Sequence, residues 1–136
     1  MNSFSLKIVT PDGTRFEGQA QELIVRSTTG DIGVLAGHIN CVCALGMGLA
    51  TVIVDGQKRY AACIGGMLSV VNGSVTLVPT TFEWADKIDL DRAKASEQKA
   101  KEILADKNAT DTQMRLAEAR LKRALVRKSV ASYKAN

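Results

Sequence analysis

The sequence predicts an all-β domain, a sandwich or barrel, followed by an antiparallel two-helix hairpin. Three observations predict it. Short β-rich runs recur between turn residues in the first part of the chain. Nine of the eleven glycines lie between Gly30 and Gly73 and none follows, so the backbone freedom that tight turns need ends there. From Ile88 onward glycine and proline are absent, and Ala, Lys, Glu, Leu and Arg, all strong helix formers, dominate. The division this gives is residues 1–85 for the β domain and residues 86–136 for the hairpin.

The elements follow in order. Ser5 to Thr10 is a strand that ends at Pro11-Asp12-Gly13, where proline presets φ and glycine accepts a positive one. Thr14 to Glu17 returns as the second arm of a hairpin. Glu22 to Arg26 is a third strand, closed by Ser27-Thr28-Thr29-Gly30. Leu49 to Val54 and Lys58 to Cys63 flank Asp55-Gly56, and Met67 to Val71 and Ser74 to Val78 flank Asn72-Gly73. Both dipeptides favour the two-residue hairpin turn that needs positive φ. In the second half, Asp89 is placed to cap a helix running to about Leu104. Lys107-Asn108-Ala109 is a short joint, and Thr110 precedes Gln113 by the capping-box spacing that opens a second helix, from about Asp111 to near Tyr133. The apolar seam is read as Leu90, Ala93, Ala100, Ile103 and Leu104 against Met114, Ala117, Leu121, Ala124, Leu125 and Ala131. A seam so rich in alanine buries little area, so the hairpin is expected to rest on the β domain or a partner, with a hinge near Ala85-Asp86-Lys87.

Composition narrows the function classes. With 46% apolar and 24% charged residues the chain is an ordinary globular mix and not a disordered one. No apolar run reaches the roughly 18 residues of a membrane span, so no direct membrane insertion is expected. The N-terminus lacks the basic and apolar regions of a secretory signal, which reads as cytosolic. Three cysteines, Cys41, Cys43 and Cys63, without a C-x-x-C, argue against a disulfide framework and against a metal site with His38. Cys41 and Cys43, two apart on a strand, share a face, read as the core face. The net charge of +4 is unevenly spread: residues 111–136 carry seven Lys/Arg against two Asp/Glu, and the rest is near balance. That asymmetry predicts an acidic partner for the second helix, the alternative being a solvated face. Nucleic acid is not expected, because no stacking aromatics interleave with the basic residues. No phosphate-binding loop, no Ser-His-Asp set and no second histidine are present, so no catalytic residues are assigned and the chain is not read as an enzyme.

Several segments carry a resemblance. They are Ile8-Val9-Thr10-Pro11-Asp12-Gly13, the loop from Gly30 through Asp31 to His38, Gly65-Gly66 before Met67-Leu68-Ser69-Val70, Val75-Thr76-Leu77, and Ile88-Asp89-Leu90-Asp91-Arg92-Ala93. In this order and spacing the chain, over essentially its whole length, resembles the epsilon subunit of F-type ATP synthases. It departs at Ile39-Asn40-Cys41, where the family usually shows a small residue and a proline. The resemblance implies a β-sandwich of about ten strands with a C-terminal helical hairpin. It implies a non-catalytic subunit of the rotating central stalk in a proton- or sodium-translocating synthase. Its β domain would join the gamma subunit to the c-ring, and its mobile hairpin would inhibit ATP hydrolysis when extended. The location implied is peripheral, on the cytoplasmic face of the cell membrane within the complex. The alternative is a stand-alone nucleotide-sensing domain.

The resemblance also implies site residues. Ile88, Asp89, Arg92, Ala93, Arg123 and Arg127 match the positions with which nucleotide-sensing members bind ATP, with Lys99 standing where a further arginine is expected and Glu83 as a weaker candidate. No cofactor is required, and ATP would act as a regulatory ligand. The residues themselves allow this reading, since Asp89 and Arg92 share a helix face, as do Arg123 and Arg127. They allow equally a cap at Asp89 plus salt bridges within the hairpin. Gly30, Asp31 and His38 are implied to face the c-ring. Arg115, Arg120, Lys122, Arg123, Arg127 and Lys128, with Lys134, are implied to meet the beta subunit, beside alpha, in the extended state.

Overall fold

The structure, a computed structural model, describes residues 2–133. Ten strands form two five-stranded sheets, and two helices follow. The strands are β1 (Phe4–Thr10), β2 (Gly13–Ala20), β3 (Glu22–Ser27), β4 (Gly30–Leu35), β5 (Cys41–Ala44), β6 (Met47–Val54), β7 (Gln57–Ile64), β8 (Met67–Val71), β9 (Ser74–Val78) and β10 (Thr81–Trp84). The first sheet has the order β2-β1-β9-β8-β5 and the second β10-β7-β6-β3-β4. Every neighbouring pair is antiparallel except β1 and β9, which run parallel and join the start of the domain to its end.

Alternation builds the core. β1 buries Phe4, Leu6 and Ile8 while Ser5 and Lys7 face solvent. Leu68, Val70, Val75 and Leu77 complete the first inner face, and Leu23, Val25, Val52 and Phe82 stand on the second. Full burial of each large aliphatic chain contributes about 1.5–3 kcal/mol, so this interior dominates the stability of the domain. Cys41 and Cys43 pack against that core, on the face their spacing indicates, and Cys63 is buried within it. The two dipeptide turns are tight because both central residues take positive φ: 51° and 76° at Asp55-Gly56, 49° and 85° at Asn72-Gly73.

After β10 a single turn of 3-10 helix, Ala85–Lys87, leads into α1 (Leu90–Ala105) and α2 (Asp111–Ala131). Asp89 caps α1 by accepting from the Arg92 N–H at 3.0 Å. Thr110 and Gln113 form both bonds of the capping box, at 3.1 and 2.8 Å. α1 packs along α2, and α2 lies on the outer face of the second sheet, against β6, β7 and the 3-10 turn. Ala62 and Ile64 point away from the sandwich interior and are nevertheless buried, because α2 covers them.

The helical seam differs in part from the sequence expectation. Ala93, Ala100, Ala117 and Ala124 are buried as expected, but Leu90 and Leu125 are exposed. Leu90 lies in the first turn, where the seam runs out. Leu125 is one step, about 100°, from the Ala117–Ala124 line. Glu97 and Val130 take buried places that the pattern does not assign to them. Burial of each alanine methyl contributes about 0.8 kcal/mol, well below a leucine, so the hairpin is held more weakly than the sandwich.

Candidate functional site

The glycine-rich segment implied to face the c-ring as one loop is largely a strand. Backbone pairing with β3, from Glu22↔Leu35 to Ser27↔Gly30, extends residues 30–35 as β4. Gly30 and Asp31 therefore sit at the β3–β4 turn, and His38 lies beyond the opposite end of the strand. Asp31 pairs with Arg26 at 3.6 Å on the exposed outer face. The His38 N–H donates to the Leu35 carbonyl at 3.2 Å, and its Nδ1 lies 2.8 Å from the Ile39 carbonyl oxygen. Asn40 and Asn72 fasten this second end, with the Asn72 N–H donating to Asn40 Oδ1 at 2.8 Å.

The outer face of the first sheet is free of charge over β5, β8 and β9. Register places Ala44, Met67 and Val78 in one row and Val42, Ser69 and Thr76 in the next, with Val71 beyond. Val42, Met67, Val71 and Val78 are 64%, 43%, 49% and 47% exposed, which makes this a contiguous apolar surface on the side away from the hairpin.

The polar site is a cleft of about 190 Å3 where the hairpin meets the second sheet. Ile64, Thr81 and Glu83 form its floor, Ser96 its α1 wall, and Arg120, Arg123, Ala124 and Arg127 its α2 wall. The three arginines recur at i, i+3 and i+7, so they share one side of α2. Arg127 Nε stands 2.7 Å from Glu83 Oε1, and its Nη2 donates to Oε2 at 3.2 Å. The first contact is an ion pair without hydrogen-bond alignment, which leaves the buried Nε without a properly directed acceptor. Arg120 and Arg123 make no ion pair or hydrogen bond among the described residues. Three guanidinium groups thus face one carboxylate. Arg120 and Arg123 also line an adjoining cavity of about 350 Å3 toward the hairpin tip, with Ile103, Gln113, Leu116 and Ala117.

Of the ATP-binding set, the structure brings Glu83, Arg123 and Arg127 together and adds Arg120. Asp89 is not in the cleft: its carboxylate is occupied as the α1 cap. Ala93 is buried in the helical seam, and Ile88 lies between the 3-10 turn and the cap. Arg92 and Lys99 are exposed and share the α1 face of Ser96, about one turn to either side, so they flank the cleft without lining it. Charge alone groups Arg120 with the basic helix; its i, i+3 spacing to Arg123 is the signal that could have placed it here. Arg115, Lys122 and Arg123 are exposed, whereas Arg127 is committed to Glu83 and Lys128 to Glu97. Lys134 lies outside the described residues.

Glu97 is the second buried anchor. Only 7% exposed, it accepts from Lys128 Nζ at 3.0 Å and lies 3.4 Å from Lys101 Nζ. The hydrogen bond from Lys128 foremost, opposed by burial and aided by Lys101, holds its carboxyl below the ordinary value. Among the described residues no group of three or more His, Cys, Asp or Glu is arranged to hold a metal ion, and no helix is long and apolar enough to cross a membrane.

Comparison with known proteins agrees with this architecture. The family described as ATP synthase, Delta/Epsilon chain, beta-sandwich domain matches residues 3–85, and its long alpha-helix domain matches residues 86–132. The chain is 38% identical over 135 residues to the ATP synthase epsilon chain of an Exiguobacterium species, covering 98% of this chain and 99% of that one. It is 39% identical over 131 residues to the ATP synthase epsilon chain of Bacillus velezensis, covering 96% and 98%. Among solved structures, a chain of the Euglena gracilis mitochondrial ATP synthase, in its OSCP/F1/c-ring assembly, superposes with a TM-score of 0.82 at 20% identity, over 95% of this chain and 81% of that one. A chain of the Tetrahymena thermophila mitochondrial ATP synthase central stalk and c-ring gives 0.60 at 10% identity, over 94% and 96%. The ten-stranded sandwich, the two helices docked beside it and the two family domains found in sequence over nearly the whole chain lead to one assignment: the chain belongs to the ATP synthase delta/epsilon family.

Proposed function

We propose that this chain is a non-catalytic rotor subunit of an F-type ATP synthase, anchored through its sandwich and regulating ATP hydrolysis through its hairpin. The observation that carries the reading is the two-sided use of the sandwich. One outer face holds a weakly packed hairpin, while the other presents Val42, Ala44, Met67, Val71 and Val78 uncovered. An apolar surface of that kind is suited to a permanent partner, here the gamma shaft. The polar end at Arg26 and Asp31 suits the polar loops of a c-ring better than the His38 end, where Leu35 and Ile39 are exposed. The extended hairpin would present its basic helix to the beta and alpha subunits, and ATP would bind the arginine cleft as a regulatory ligand. The site of action is then peripheral, at the cytoplasmic face of the cell membrane. The relatives' shared naming as ATP synthase epsilon chain supports the assignment.

Co-expression with gamma tests the anchor. Wild-type chain should co-purify with it, Met67→Glu and Val42→Glu should abolish recovery, and Leu125→Glu, on the hairpin, should not. Failure of the folded wild-type chain to bind gamma would overturn the reading.

A further inference from the structure

We propose that Cys41 and Cys43 form a two-thiolate site for a soft monovalent metal ion of the copper(I) class, chelated across one pleat of β5. The inference stands on the first sheet alone and does not depend on the reading of the hairpin or its cleft.

Register puts the two thiols side by side. Cys41 pairs with Val70 and Cys43 with Leu68, and both partners are buried in the core, so both cysteines point to the inner face of the sheet. Val42 between them pairs with Ser69 and is exposed on the outer face. Inward-facing thiols on a central strand would be closed off, but β5 is the edge strand of its sheet, and both cysteines are only partly buried. Burial and then Cys41 raise the Cys43 thiol, so each sulfur feels its neighbour's charge. An ion thus has access along the rim of the sandwich, while Val42 keeps its place in the apolar surface.

The span decides how the pair is bridged. Residues i and i+2 of a strand stand about 6.6–6.8 Å apart. Disulfides join Cα atoms most often about 5.5–6 Å apart, so a direct S–S bond would have to shorten β5 and pull it from β8. An ion between the sulfurs replaces one S–S bond of about 2.05 Å by two sulfur–metal bonds of about 2.3 Å, and the strand keeps its length. Ligand number decides which ion. Among the described residues no third His, Cys, Asp or Glu joins the pair. His38 is turned elsewhere, with its Nδ1 2.8 Å from the Ile39 carbonyl oxygen. Two sulfurs without further protein donors leave the tetrahedral demand of zinc unmet. Soft thiolates in an apolar setting favour copper(I), which two of them satisfy in a line. Binding breaks two S–H bonds, releases both protons to solvent and forms two sulfur–metal bonds, with no transfer of electrons.

The experiment is anaerobic titration of the full chain into copper(I) held as its coloured bicinchoninate complex, for wild type, Cys41→Ser, Cys43→Ser and Cys63→Ser, each checked for native amide dispersion. Wild type and Cys63→Ser should each withdraw one copper(I) per chain with no change in sedimentation. Cys41→Ser and Cys43→Ser should each bind about a hundredfold more weakly, because a second thiolate no longer closes the chelate. In wild type the bound ion should protect two thiols from a thiol reagent, mapped by mass to Cys41 and Cys43, a readout that needs no variant. No transfer of copper(I) to the folded wild type would overturn the site. So would undiminished binding by either Cys41→Ser or Cys43→Ser, an equal loss in Cys63→Ser, or one ion shared between two chains.

Discussion

Lys128 on α2 places its Nζ 3.0 Å from Oε1 of Glu97 on α1, and the carboxylate it holds is 7% exposed. The neighbouring residue, Arg127, holds Glu83 on β10. Two consecutive cations thus fasten α2 in two directions, one to its partner helix and one to the sandwich. In a hairpin whose packing is mostly alanine, these two ties add directed contacts to that packing.

The Glu97 tie predicts an acid response. Its carboxyl is depressed in the folded chain, so the stability it contributes is present above the ordinary value of 4.5 and is lost as pH falls through the depressed one. Hairpin melting, followed by circular dichroism, should drop on acidification below that value. Glu97→Gln should lower stability at neutral pH and flatten this part of the profile.

Arg127→Ala leaves Glu83 half-buried without its cation and should weaken docking of α2 by about 1–2 kcal/mol. Amide exchange should speed up along α2 and at the 3-10 turn, while exchange in β1, β8 and β9 stays unchanged. Equal acceleration in the sandwich core would show that hairpin and sandwich unfold as one unit.

Gly66 has φ +102°, and a Cβ built there would stand 2.1 Å from the Val78 carbonyl oxygen. Neither the backbone of β9 nor that of Pro79 can move aside cheaply. Gly66→Ala should cost at least about 3 kcal/mol by denaturant unfolding.

Thiol chemistry separates the cysteines. Burial pushes the Cys63 thiol up to about 12, and Cys43 is raised by burial and then by Cys41. The partly exposed Cys41 should react first with a thiol reagent in the native chain, Cys43 more slowly, and Cys63 only on unfolding. Mass spectrometry of the labelled chain over time gives the order, and early labelling of Cys63 would contradict the core packing described above.

Much of the fold is legible because its turns are local. Asp55-Gly56 and Asn72-Gly73 announce their hairpins through positive φ alone, and Asp89 and Thr110 announce the helix starts through capping. β4 and β10 are less legible, since Gly30 and Gly33 read as loop and the four residues of β10 carry little pattern. What makes them strands is pairing: β4 with β3 across the tight Ser27–Gly30 turn, and β10 with β7, two strands removed along the chain. The same limit applies to the site. Spacing puts Arg123 and Arg127 on one face, but the partner that Arg127 selects, Glu83, lies 44 residues away. Asp89, read as a ligand residue by resemblance, is used for the cap that its position equally suits. Glu97 is hidden for another reason: a charged residue reads as exposed until Lys128, 31 residues on, is brought beside it.

The central claim is that the hairpin rests on the sandwich as a detachable regulator. Tyr60 on β7 and Tyr133 beyond α2 have ring centroids 5.0 Å apart, so thiols placed at these two positions are within reach of a short, reducible thiol-reactive linker. The measurement is ATP hydrolysis by the assembled synthase carrying Tyr60→Cys and Tyr133→Cys, with the three native cysteines replaced, linked and then after reduction of the linker. Hydrolysis should be faster with the link closed and should fall back on reduction. Equal rates in the two states, with the link verified as closed, would contradict a detachable regulator.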